Sequence, residues 1–102
     1  MDYNKEFNQI AADFTALIKG EIKRLGLFKT GKMFNSINFI SKKTPSGYKL
    51  QMEAVDYFSE VNDKYKIIEN ALKTDKYKNI EKRIITLSNL MILEELKELT
   101  KK

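Results

Sequence analysis

Lys29–Val55, KTGKMFNSINFISKKTPSGYKLQMEAV, decides the fold of this 102-residue chain. In Tyr48-Lys49-Leu50-Gln51-Met52-Glu53-Ala54 apolar and polar side chains alternate, the period of a strand with one buried face. Ile37–Lys43 reads as a shorter strand, with Ile37 and Phe39 toward one face and Asn38 and Ile40 toward the other. Thr44-Pro45-Ser46-Gly47 joins the two; proline presets φ early in a turn and glycine permits positive φ at its end. A two-stranded ribbon alone is marginal in water, so the Leu50/Met52 face needs a helix or another sheet against it.

Upstream, Tyr3, Phe7, Ile10, Phe14, Leu17, Ile18, Ile22 and Leu25 recur in steps that predict an amphipathic helix over Tyr3–Leu25, with Asp2 as its cap and Gly26 as its stop. Gly20 inside it costs about 1 kcal/mol relative to Ala. The apolar stripe outweighs that, since each large side chain contributes about 1.5–3 kcal/mol when buried. Thr30 is expected to cap a short helix over Gly31–Ser36 that turns Met33, Phe34 and Ile37 inward. Two helices joined tightly also begin a helix-turn-helix, but the second is too short to carry the several polar side chains a recognition helix needs.

Downstream, Asp56 is expected to cap a single turn over Tyr57–Val61, and Asn62-Asp63 to end it. Lys64–Ile68 then reads as extended, a candidate third strand. A last helix runs from Thr74 or Asp75 to Leu99, with a start as early as Glu69 as the alternative, and Tyr77, Ile80, Ile84, Ile85, Leu87, Leu90, Met91, Ile92, Leu93, Leu96 and Leu99 are its apolar set. Apolar residues nearly all round a helix require cover on more than one side. In so small a domain, the hairpin and first helix cover one side, and another chain is expected on the other. A final helix wrapped wholly by its own domain is the alternative. The fold expected is therefore α+β: a single domain over residues 1–102, with a long helix, a short helix, an antiparallel hairpin and a long C-terminal helix packed on the sheet.

The composition is that of a folded chain, 42% hydrophobic and 32% charged, rather than a disordered one. Without cysteine there are no disulfides or thiolate metal sites, and without histidine the commonest catalytic base is missing. No signal-peptide run or membrane-spanning stretch is expected, which makes the cytosol the default compartment. Asp56, Glu60 and Asp63 fall at helical spacing, but a hard cation needs oxygens from several directions, so no metal is expected there. Ser36 and Lys32 imitate a serine–lysine pair without an oxyanion hole, and the four glycines are isolated, which leaves no phosphate-cradling loop. No cofactor and no enzymatic activity are expected.

The net charge is +5, and the surplus is local. Residues 19–49 hold Lys19, Lys23, Arg24, Lys29, Lys32, Lys42, Lys43 and Lys49 against Glu21 alone, while residues 1–18 hold Lys5 against Asp2, Glu6 and Asp13. The lysines serve solubility, meet phosphates without sequence preference, or dock on an acidic protein surface.

The order of elements, with Thr30, Gly31, Met33, Ser36 and Ile37, then Tyr57 and Val61, then Ile67, Ile68, Ala71 and Leu72, resembles the tail-completion or head–tail joining proteins of tailed bacteriophages. These are the small neck components of the HK97-like tail-component family. Asn62-Asp63-Lys64 stands where that family usually has a glycine-threonine pair, and Asn70 where it has a proline. The resemblance implies a non-catalytic virion component, assembled in the host cytoplasm, whose copies form a ring at the neck or tail terminus. Portal, adaptor or tail proteins would be its neighbours. Rings are built from repeated heterologous contacts, which would use the over-apolar last helix through Ile85, Ser88, Ile92, Leu96 and Leu99. The basic residues Lys29, Lys32, Lys42, Lys43 and Lys49 would face a neighbour or the passing DNA, through charge alone. The competing expectation is a small basic cytosolic protein that binds nucleic acid or an acidic regulator.

Overall fold

The computed structural model describes residues 3–27, 31–45 and 47–100, with side chains described only as far as residue 94 in the last helix. The fold is α+β, with five helices and one two-stranded antiparallel sheet among the described residues. It is elongated, 58 × 25 × 21 Å.

Helix α1 (Asn4–Arg24) is the spine. Its stripe buries Phe7, Ile10, Leu17, Ile18 and Ile22, and Tyr3 occupies the N-cap position without a side-chain cap; Asp2, expected there, lies outside the described residues. Gly26, at φ 73°, ends the helix as expected. Its N–H bonds Lys23 O at 3.0 Å and the Leu27 N–H bonds Ile22 O at 3.1 Å, a Schellman closure that satisfies two terminal carbonyls. Helix α2 (Lys32–Ser36) follows from Gly31, which holds φ 75° at the N-cap position, and it buries Met33 with Ile37 just beyond.

Strands β1 (Asn38–Thr44) and β2 (Gly47–Glu53) pair from Asn38↔Glu53 to Thr44↔Gly47. One face lies on α1. There the Phe7 and Tyr48 rings stack at 4.3 Å, and Phe14 meets Phe39 edge-on at 4.7 Å. The Thr15 hydroxyl donates to Ala11 O at 2.9 Å and accepts the Phe39 N–H at 2.8 Å, while the Ser41 hydroxyl reaches Asn8 Oδ1 at 2.6 Å. Leu50 is half-buried on this face, but Met52 is 37% exposed: Phe39, directly opposite it, holds the contact with Phe14. The root of the ribbon is fastened by Ser36, whose hydroxyl donates to Met33 O at 2.7 Å and accepts the Val55 N–H at 3.1 Å.

The expected third strand is not there. Lys64 and Tyr65 end helix α3 (Phe58–Tyr65), and Ile67 and Ile68 begin helix α4 (Ile67–Ala71). Nor does Asn62-Asp63 end a helical turn. Asn62 sits inside α3 and its Oδ1 accepts the Ile68 N–H at 2.9 Å, at the start of α4. A residue that usually competes with helix by bonding local backbone here caps the next one. The break comes at Lys66, in the left-handed region at φ 55°. Asp56 does not cap α3 either: Tyr57 holds that position, with no side-chain cap bond. Phe58, Ile67 and Ala71 enter the core.

Helix α5 (Asp75–Thr100) follows directly on Thr74, whose hydroxyl donates to Ala71 O at 2.7 Å and accepts the Tyr77 N–H at 3.3 Å. It runs antiparallel to α1: Arg83 bonds Asp13 at 2.7 Å, and the Tyr3 hydroxyl donates to Glu94 Oε1 at 2.8 Å. Ile80 is buried, and Tyr77, Ile84, Leu87 and Met91 pack on the core. The final helix therefore lies chiefly on α1. It reaches the sheet at the hairpin tip, where a Cβ added to Gly47 would lie 3.7 Å from Met91 Cε.

Candidate functional site

One flank of α5 covers α1, and apolar side chains remain exposed elsewhere around the helix. Ile85 is 52%, Leu90 43%, Ile92 55% and Leu93 53% exposed; Ser88 is exposed between them. Ile85 and Ile92 are seven residues apart, two helical turns, so they lie on one line about 10.5 Å apart. The side chains of Leu96 and Leu99 lie outside the described residues. Leu90 and Leu93 were not singled out as contact residues in the sequence; at 3.6 residues per turn they lie off the Ile85/Ile92 line, with Leu90 on the far side of the helix from it.

On another side of α5 from this line, a groove runs between α1 and α5. Its first hollow, of about 460 Å³, has Ile10 and Leu87 at its floor and Glu6, Gln9, Lys82 and Thr86 on its walls. A second, of about 330 Å³, lies over Leu17 and Ile80, with Asp13, Ala16 and Lys76 around it. Asn79 and Arg83 border both, and the Arg83–Asp13 ion pair, held by two hydrogen bonds, stands between them. Apolar floors with polar walls are the usual make-up of a recognition groove.

The basic residues are divided by the fold. Lys42 and Lys49 are directly paired across the hairpin and exposed, with exposed Lys43 next to them. Lys32 is exposed on α2, at the opposite end of the ribbon, and Lys29 lies outside the described residues. A second basic group forms near the ribbon's root, where the Lys19 and Lys23 ammonium groups sit 5.1 and 5.4 Å from the centre of the Phe34 ring. Its signal in the sequence was the four-residue spacing of the two lysines.

The short strings that carried the family resemblance converge. Gly31, Met33, Tyr57 and Val61 line one hollow of about 280 Å³, together with Gly26, Leu27 and Tyr65. Ser36 and Ile37 fasten and fill the ribbon's root, Ala71 is buried on α4, and Leu72 beside it is 40% exposed. Thr30 lies outside the described residues. Compared with known protein families, characterised proteins and solved structures, the chain matches none.

The polar side chains nearest to chemistry have structural partners. The Ser36 hydroxyl is committed to two backbone groups, and Glu21, buried in α1, is paired with Arg24. Asp56, Glu60 and Asp63 are all exposed. Among the described residues no three metal-ligating side chains converge, and no helix is long and apolar enough to cross a membrane.

Proposed function

We propose that this chain is a non-catalytic building block of a homo-oligomeric assembly, and that the assembly is the ring at the neck or tail terminus of a tailed bacteriophage. The observation that carries the reading is the apolar surface left on α5, where Ile85, Leu90, Ile92 and Leu93 are each about half exposed along one helix. Ile85 and Ile92 share one line of that helix, and exposed apolar side chains so aligned mark an interaction site. The order of helix, threonine-glycine turn, hairpin and long last helix supplies the phage context by resemblance. In such a ring, neighbouring copies share the α5 surface, portal, adaptor or tail proteins cap the ring, and the basic tip Lys42/Lys43/Lys49 faces an anionic surface or passing DNA.

Sedimentation equilibrium of the purified chain over a wide concentration range, with electron microscopy of its largest species, tests this reading. Closed assemblies of defined copy number are expected. A chain that stays a compact monomer at the highest attainable concentration overturns it. The juxtaposed Lys42 and Lys49 favour a second reading, a monomeric or dimeric nucleic-acid binder. Its mark is DNA affinity that falls steeply with salt.

A further inference from the structure

The hairpin has two edges, and α1 closes one. The Thr15 hydroxyl takes the Phe39 N–H at 2.8 Å, and the Ser41 hydroxyl reaches Asn8. Residues directly opposite in an antiparallel pair alternate between exchanging both main-chain hydrogen bonds and exchanging neither. With the Phe39 N–H given to Thr15, Phe39↔Met52 is a pair that exchanges neither, and Ser41↔Leu50, two residues along, is another. The N–H and C=O groups of Leu50 and Met52 therefore point away from β1, and among the described residues they have no partner. Such an edge is a template for a further strand. We infer that it receives the same edge of a second copy of this chain, antiparallel and centred on Gln51, so that two two-stranded hairpins join into one sheet.

Charge selects both the occupant and the register. On the side of β2 away from α1 stand Lys49, Gln51 and Glu53, all exposed. Lys49 faces Lys42 across the ladder, a like-charge pair that costs stability. Glu53, at the other end, accepts the Asn38 amide at 3.1 Å through one oxygen. Turned end for end, the order lysine, glutamine, glutamate meets its own complement. Lys49 of each copy lies opposite Glu53 of the other, and Gln51 lies opposite Gln51. Each Lys49 then has Lys42 on one side and a carboxylate on the other. Registers centred on Lys49 or Glu53 bring like charges face to face, and those centred on Leu50 or Met52 leave both charges opposite uncharged residues.

The backbone accepts the same register. It sets Leu50 of one copy opposite Met52 of the other, so two outward-pointing residues meet and exchange both of their hydrogen bonds. On the side toward α1, Met52, 37% exposed in a single chain, comes beside half-buried Leu50 of the second copy. The contact is twofold and self-complementary. It uses the edge of the hairpin rather than the exposed line of α5, so it is additional to the assembly proposed above and does not depend on it.

Two measurements on the full chain test the contact. In wild type, the Leu50 and Met52 amides should exchange slowly at concentrations where the chain associates and fast on dilution, while the Gln51 amide, inside the β1–β2 ladder, stays protected at both. Lys49→Glu and Glu53→Lys each set like charges opposite one another at both ends of the pairing. By sedimentation velocity each alone should associate at least about tenfold more weakly than wild type. An equimolar mixture of the two should pair at least as tightly as wild type, since every carboxylate at these positions then faces an ammonium group. Folded variants that do not pair when mixed would overturn the register. Association of wild type with Leu50 and Met52 amides that exchange fast at every concentration would overturn the strand contact while leaving the assembly reading intact. A wild type that stays monomeric at the highest attainable concentration would overturn both. If either variant fails to fold, the wild-type exchange measurement decides alone.

Discussion

Thr15 joins the two halves of the domain, and its removal has a calculable consequence. Its hydroxyl takes the Phe39 N–H at 2.8 Å while donating to Ala11 O at 2.9 Å. Thr15→Val keeps the shape of the side chain and deletes only the hydroxyl, leaving the Phe39 N–H between helix and strand without its acceptor. A stranded donor costs about 1–3 kcal/mol when fully buried. Phe39 and Thr15 are both half-buried, which places the loss in the lower part of that range, at about 1–2 kcal/mol. Valine and threonine have nearly equal helix propensities, so the backbone of α1 does not offset it. Thr15→Ser retains both hydrogen bonds and removes one methyl, at most about 0.8 kcal/mol. Urea denaturation should therefore rank wild type above Thr15→Ser and Thr15→Ser above Thr15→Val with unchanged slopes, and the Phe39 amide should exchange faster in the valine variant alone. A Thr15→Val chain within 0.5 kcal/mol of wild type, or Phe39 exchange that does not change, would show that this bond does not hold the ribbon to the helix.

Gly20 is exposed inside α1, and a Cβ there would meet nothing within 4 Å; Gly20→Ala should add about 0.5–1 kcal/mol, read as a higher urea midpoint. Lys49→Gln relieves the like-charge pair with Lys42 and should stabilise by about 0.2–0.5 kcal/mol at low salt, with the gain fading in 1 M salt. Neutralising Lys42, Lys43 and Lys49 together should keep stability within about ±0.5 kcal/mol; a larger loss would contradict their exposed positions. The Glu94 carboxylate that accepts the Tyr3 hydrogen bond, aided by burial, raises the Tyr3 phenol above its ordinary 10.0. With the folded value raised, that contribution is whole below about pH 10 and is lost as pH climbs through the folded value. Tyr3→Phe should therefore show a shallower alkaline decline in stability than wild type, and identical slopes would refute the assignment.

The helices and the ribbon were legible in the sequence where one local signal dominated. The stripe from Tyr3 to Ile22, the stop at Gly26 and the alternation around Leu50 each follow from a single periodicity or backbone preference. The segment from Asn62 to Ile68 was not legible. Asn-Asp normally disfavours helix interiors, yet the Asn62 amide gains a partner in the Ile68 N–H that only the fold supplies. The left-handed residue is a lysine, which nothing in the sequence marks as a hinge. The excess of apolar side chains on α5 was visible as composition, and the basic surplus as a charge count. The groove was not, because hollows over Ile10 and Leu17 exist only once α1 and α5 are laid side by side. The lysines read as one patch are split because the ribbon places Lys32 and Lys42 at opposite ends.

The hairpin is tethered at both ends. Ser36 closes its root onto Val55, and at its tip Tyr48 stacks on Phe7 and accepts the Tyr3 N–H at 3.2 Å. Lys42, Lys43 and Lys49 are thus mounted on a rigid arm whose angle to the spine is already set. Whatever anionic surface meets them has little chain motion to arrest, and the entropy that docking would otherwise surrender has already been lost in folding.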